Sequence, residues 1–108
     1  MDLAQKKCVA CEGGAAPMTT MEVQAMLTHV PGWEITHDGK SITRSYRFKD
    51  FAAALAFVDA VGAIAEAEGH HPDIELGWGR ARITLSTHAI SGLSENDFIM
   101  AAKIDTLS

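Results

Sequence analysis

The sequence predicts an α+β domain in which three helices cover one face of a four-stranded antiparallel sheet, in the order α-β-β-α-β-β-α. Three observations lead there. Two stretches alternate apolar and polar residues with period two around glycine-containing turns, and the segments between and outside them carry apolar residues at helical spacing. The third is size: 108 residues, 47% of them hydrophobic, support one small core and leave no room for two.

The elements follow in order. "TTMEVQAMLTHV" opens with a capping box, Thr19 as N-cap and Glu22 at N3, and places Val23, Met26, Leu27 and Val30 on one side; Pro31 and Gly32 end it. "WEITH" and "SITRSYRF" read as strands joined by a turn at "DGK"; Trp33 and Ile35 share a face, as do Ile42, Tyr46 and Phe48. Asp50 caps the next helix, whose larger apolar residues Phe51, Leu55, Phe57, Val58, Val61 and Ile64 fall at helical intervals. Gly69 is placed to close it in a left-handed conformation, with Pro72 shortly beyond.

A second hairpin runs from Ile74, Leu76 and Trp78 through Gly77 and Gly79 to Ala81, Ile83, Leu85 and Thr87. Extending that last strand to His88 puts the histidine on the face opposite the apolar positions, with Ser86 and Thr84. Ser94 then caps a final helix carrying Phe98, Ala101, Ala102 and Ile104.

Composition excludes several classes of function. The net charge is -5 with only nine basic residues, which disfavours a nucleic-acid surface built from clustered lysine and arginine. The run "FAAALAFVDAVGAIAEAEG" contains Asp59 and is rich in alanine, so it reads as a buried-face helix and not a membrane span. "MDLAQKKCVACEGG" lacks the apolar stretch of a secretory signal, and a cytoplasmic location is expected. Residues 1–18 read as a flexible segment ahead of a single domain, 19–108. That segment holds both cysteines, Cys8 and Cys11, as C-x-x-C. The spacing suits half a zinc site or a redox dithiol, but no strand-helix pattern follows it and further ligands are distant in sequence.

The residues that carry chemistry sit at the junction "EGHHPDIE" and in "LSTHAISGLSEND". Imidazole donates and accepts protons near neutrality, so adjacent His70 and His71, with His88 further on, suit acid-base catalysis. Each also has a plainer reading. His-His-Pro after a helix serves as a solvated C-terminal cap, and Asp97 completes a capping box with Ser94. Glu66, four residues before His70, is then an ordinary helical neighbour. A metal triad of His70, His71 and His88 also stays open, although the H-E-x-x-H spacing of zinc proteases is absent.

Taken together, Glu66-x-x-x-His70-His71-Pro72, the aromatic Trp78, "ITLSTH" ending at His88 and "GLSEND" ending at Asp97 resemble the pterin-4a-carbinolamine dehydratase family. The resemblance runs from about Thr19 to the C-terminus and includes Gly32-Trp33 and Phe48 to Phe51. The N-terminal cysteine segment is similar to bacterial members.

The resemblance implies dehydration of a 4a-hydroxytetrahydropterin to quinonoid dihydropterin, in the recycling of tetrahydropterin released by an aromatic amino-acid hydroxylase. It implies His70, His71 and His88 as catalytic residues, with His71 and His88 as the proton-transfer groups and His70 orienting or sharing the task. Glu66, Pro72, Ser86, Thr87 and Asp97 are implied around the substrate. Asp97 would orient a histidine, and Ser86 and Thr87 would hydrogen-bond the pterin edge. No cofactor or metal is implied, and a homodimer or homotetramer is expected. Animal members carry an aromatic near Ile74, so ring stacking at that position is not carried over. Two other classes remain as alternatives. One is an oligomerising binding or regulatory module; the other is a metal or redox protein using Cys8, Cys11 and the histidines.

Overall fold

The structure is a computed structural model that describes residues 3–9 and 16–107. Its elements are α1 (Thr20–Leu27), β1 (Glu34–Ile35), β2 (Ile42–Arg47), α2 (Phe51–Glu68), β3 (Asp73–Gly77), β4 (Arg80–Leu85) and α3 (Glu95–Asp105), with short 3-10 turns at Leu3–Gln5 and His88–Ile90. The strands form one antiparallel sheet in the order β1-β2-β4-β3. The expected α+β arrangement is thus the observed one.

Local chemistry accounts for the boundaries. Thr19 accepts from the Glu22 amide at 3.2 Å while the Glu22 carboxylate accepts from the Thr19 amide at 2.9 Å, closing the capping box of α1. Asp50 accepts from the Ala53 amide at 2.8 Å and starts α2. Gly69 ends it at φ 67°, a left-handed conformation that glycine adopts without a Cβ penalty.

The core lies between the helices and one face of the central strands. Ile42 faces Leu85, and Ile74 and Ile83 pair across the hairpin. Ile42, Ile83, Leu85, Val61, Phe98, Met100 and Ile104 have essentially no exposed surface. Tyr46 and Phe57 pack with their rings tilted and their centroids 4.6 Å apart. Asp105 gathers three donors, Trp33 Nε1 at 3.0 Å, Arg44 at 2.9 Å and the Tyr46 hydroxyl at 2.6 Å, tying the end of α3 to the first hairpin.

Three expectations change in detail. The first hairpin is shorter: Trp33 belongs to a turn, its amide bonded to Val30 O, and Thr36 starts the next turn with Gly39 at φ 73°. Buried Trp33 and 39% exposed Ile35 therefore do not share a buried face. On α2 the buried stripe is Ala54, Phe57, Val61 and Ala65, which leaves Phe51 and Leu55 about 40% exposed. The stripe joins Phe57 and Val61 to two small alanines, so position on the helix and not side-chain size decides which residues are buried.

The third change concerns His88. β4 stops at Leu85; Thr87 then pairs with Gly92 in an isolated bridge, and His88 begins the 3-10 turn that Ser91 closes at φ 53°. His88 is therefore not on the outer face of a strand. The alternation itself holds to Thr87, since Ala81, Ile83, Leu85 and Thr87 are all buried.

Residues 3–9 lie against α3. Leu3 is buried, Lys103 donates to Ala4 O at 2.9 Å, Lys6 pairs with Glu95 at 2.7 Å, and the Cys8 amide donates to Glu68 at 2.8 Å.

Candidate active site

Gly69 turns the chain sharply at the end of α2, and this determines where the two adjacent histidines go. His70 faces the start of α3 and is nearly buried, its side chain 12% exposed, whereas His71 is directed outward at 60%. His70 Nε2 lies 2.6 Å from Asp97 Oδ1. His71 Nε2 lies 2.5 Å from Glu66 Oε2, one helical turn back on α2. With each carboxylate accepting, each ring is held as its Nε2–H form and Nδ1 is left for another partner.

Asp97 has no exposed surface, and burying a carboxylate is costly unless its oxygens are satisfied. They are. Oδ2 accepts from the Thr87 hydroxyl at 2.8 Å and from the Ser94 amide at 3.0 Å, while Oδ1 faces His70. The single Thr87 hydroxyl hydrogen goes to Asp97, so the Ser94 hydroxyl, 2.7 Å away, donates to Thr87. Asp97 thus combines its helix-start role with the orientation of His70.

Around these side chains opens a cleft of about 270 Å³, lined by His70, His71 and Gly69 from the junction, Ser86, Thr87, His88 and Ala89 from the end of β4 and the turn, and Val9 and Asn96. That size is near the lower bound of small-ligand pockets, which suits a bicyclic heterocycle better than a polymer. The expected residues His70, His71, His88, Ser86 and Thr87 meet here. Asp97 and Glu66 stand behind histidines and do not line the cleft. Pro72 is half-buried and does not line it either, and Trp78 is 72% exposed at the β3–β4 turn. Among the described residues His88 makes no side-chain hydrogen bond, and no three His, Cys, Asp or Glu side chains converge to hold a metal.

Val9, Asn96 and Ala89 were not foreseen. Asn96 lies beside Asp97 in "SEND", but its pairing with Val9 spans 87 residues and leaves no periodicity or spacing to read. Cys8 is partly buried nearby, its Sγ 3.7 Å from Asn96 O. Burial, reinforced by the Glu68 charge, pushes its thiol up to about 12. Cys11 lies outside the described residues.

A model of the family described as pterin 4 alpha carbinolamine dehydratase matches residues 16–107. The chain belongs to the pterin-4a-carbinolamine dehydratase family. Proteins of Methylococcus capsulatus and Halorhodospira halophila, each provisionally named a pterin-4-alpha-carbinolamine dehydratase, are both 50% identical to it. The alignments cover 98% of this chain and 93% of the first relative, and 99% and 98% for the second. Among solved structures, a transcriptional coactivator/pterin dehydratase from Brucella melitensis superposes with a TM-score of 0.80 at 34% identity, over 84% of this chain and 97% of that one. A pterin dehydratase-like protein identified as a RuBisCO assembly factor in the alpha-carboxysome gives 0.61 at 28% identity, over 70% and 88%. Pterin-4a-carbinolamine dehydratase relatives therefore include proteins described by roles other than dehydration.

Proposed function

We propose that the protein dehydrates a 4a-hydroxytetrahydropterin to quinonoid dihydropterin by histidine acid-base catalysis. The observation that carries this reading is the convergence of His70, His71 and His88 on one small cleft, in a chain of this family.

In the reaction the C4a–O bond breaks and the hydroxyl takes a proton to leave as water. The electron pair of a ring nitrogen forms the new double bond, and the proton of that nitrogen passes to a base. Net loss is one water, so the enzyme must give one proton and take one. His71 and His88 exchange these protons. His70, fixed by Asp97, orients the ring, and Ser86 and Thr87 bond its polar edge. Glu66 holds His71 in one tautomer from an exposed position, 79% accessible. Pro72 restricts the backbone after the histidine pair.

The substrate would be supplied by an aromatic amino-acid hydroxylase, the product would be reduced back to tetrahydropterin, and the location would be cytoplasmic. Among the described residues no helix is long and apolar enough to cross a membrane. A homodimer or homotetramer fits the open edge of β3 and the exposed Phe51 and Leu55 on α2.

The test is an assay with chemically generated 4a-hydroxytetrahydropterin, the uncatalysed rate subtracted. His71→Ala and His88→Ala should each lower turnover by about 10²-fold or more. His29→Ala and His37→Ala, outside the cleft, should change it little. Wild-type rates in all four would contradict the assigned roles. A second reading, an oligomerising regulatory module, is favoured by the coactivator and assembly-factor descriptions of its structural relatives. In that reading the histidines are dispensable.

A further inference from the structure

The side chains that line the cleft are mostly polar. Among the described residues that line it, only Val9 and Ala89 have apolar side chains. A flat heterocycle has a hydrogen-bonding edge and two weakly polar faces, and the edge-binding groups here are plentiful. Cover for a face is scarce.

Val9 stands at that cleft 70% exposed, an apolar β-branched side chain in water with its backbone fixed. The Val9 amide donates to Asn96 Oδ1 at 3.0 Å, and Asn96 Nδ2 donates back to Val9 O at 2.5 Å, two bonds resembling those exchanged between paired strands. Asn96 is itself buried, 4% exposed, so the pair is rigidly placed. Lys103 anchors Ala4 from the far end of α3, and two further attachments of residues 3–9 come from the helix ends that carry the site. Glu68 precedes Gly69 and His70 and holds the Cys8 amide; Glu95 precedes Asn96 and Asp97 and holds Lys6. A segment tied so closely to these two helix ends places its last described residue in the cleft.

We propose that Val9 is a substrate-contacting residue that covers a face of the bound heterocycle, and that Asn96 is the positioning residue that holds it there. This rests on the dehydratase reading above. The contact is made to substrate and transition state alike, so it acts on affinity and not on the chemical step.

The experiment compares Val9→Asp, Asn96→Ala and Met21→Asp with wild type. Met21, 83% exposed on α1 and not among the residues that line the cleft, controls for replacing an exposed apolar side chain by a charge. Steady-state rates with 4a-hydroxytetrahydropterin are measured beside the Kd of a non-reacting, fully oxidised pterin by fluorescence. Val9→Asp should raise KM and Kd together by about ten-fold, the loss of a modest apolar contact, with kcat within about two-fold. Asn96→Ala should move KM and Kd in the same direction. Because Val9 is exposed, its variant keeps the test decisive even where Asn96→Ala fails to fold. Wild-type KM and Kd in Val9→Asp would overturn the assignment while leaving the dehydratase reading standing. A wild-type protein that neither binds the oxidised pterin nor accelerates dehydration would overturn both.

Discussion

Asp97, with no exposed surface, holds His70 across 2.6 Å, so one imidazole of the cleft is fixed by a carboxylate that water does not reach. His71 is held by a carboxylate too, but Glu66 is 79% exposed. Two similar pairs therefore differ in what their loss costs.

Asp97→Asn keeps the shape but introduces an amide NH2 among the donors from His70, Thr87 and Ser94. With the amide oxygen kept toward Thr87 and Ser94, the NH2 faces His70 Nε2 and either meets its N–H or forces the ring into the Nδ1–H tautomer. Stability should fall by about 1–3 kcal/mol, read as a lower urea midpoint, and kcat/KM should fall with the orientation of His70.

Glu66→Gln gives the opposite balance. The pair is solvent-screened, so the urea midpoint should stay within about 0.5 kcal/mol of wild type. Turnover should fall by less than about ten-fold, because Gln still offers an acceptor oxygen to His71. A large stability loss would show that this exposed contact matters more than its setting implies.

Gly69→Ala isolates backbone strain. A Cβ there meets nothing within 4 Å, so only φ 67° opposes the change. The cost should be about 1 kcal/mol by denaturation. Activity should drop further than stability does, since Gly69 directs both His70 and His71.

Alkaline pH should weaken the fold. Burial and then Glu68 raise the Cys8 thiol from 9.0 to about 12, and burial and then Asp105 raise the Tyr46 hydroxyl above its usual 10.0. In both, the folded state keeps a proton that the unfolded chain releases. Stability from these groups is complete below about pH 9 and declines as pH rises through the window up to about 12. Urea midpoints should fall across that range. At pH 8, native Cys8 should alkylate more slowly than in the unfolded chain, resolved from Cys11 by peptide mass spectrometry.

Much of this was legible because local rules act over short spans. Thr19, Asp50 and Gly69 announce their caps within a few residues, and odd-numbered Ala81 to Thr87 announce a buried strand face. The same spacing rule puts His88 on the wrong element. Period-two alternation does not mark where a strand yields to a turn, and Ser91 carries the positive φ without the glycine that would have signalled it. Phe51 and Leu55 look like core by size, but the buried stripe on α2 is Ala54, Phe57, Val61 and Ala65, and those two fall outside it. In the site, the Glu66, His70, His71, His88 and Asp97 pattern was readable as family resemblance, whereas their grouping around one cleft needed the folded chain. Val9 and Asn96 left no trace, since a contact across 87 residues between a backbone and one amide has no sequence periodicity.

The central claim is that the three cleft imidazoles act on one ligand. Side-chain NMR of all five histidines during titration with a non-reacting oxidised pterin tests it most directly. The rings of His70, His71 and His88 should shift together with a single Kd, while His29 and His37 stay still. Shifts confined to one ring, or saturating binding that leaves all three unmoved, would contradict it.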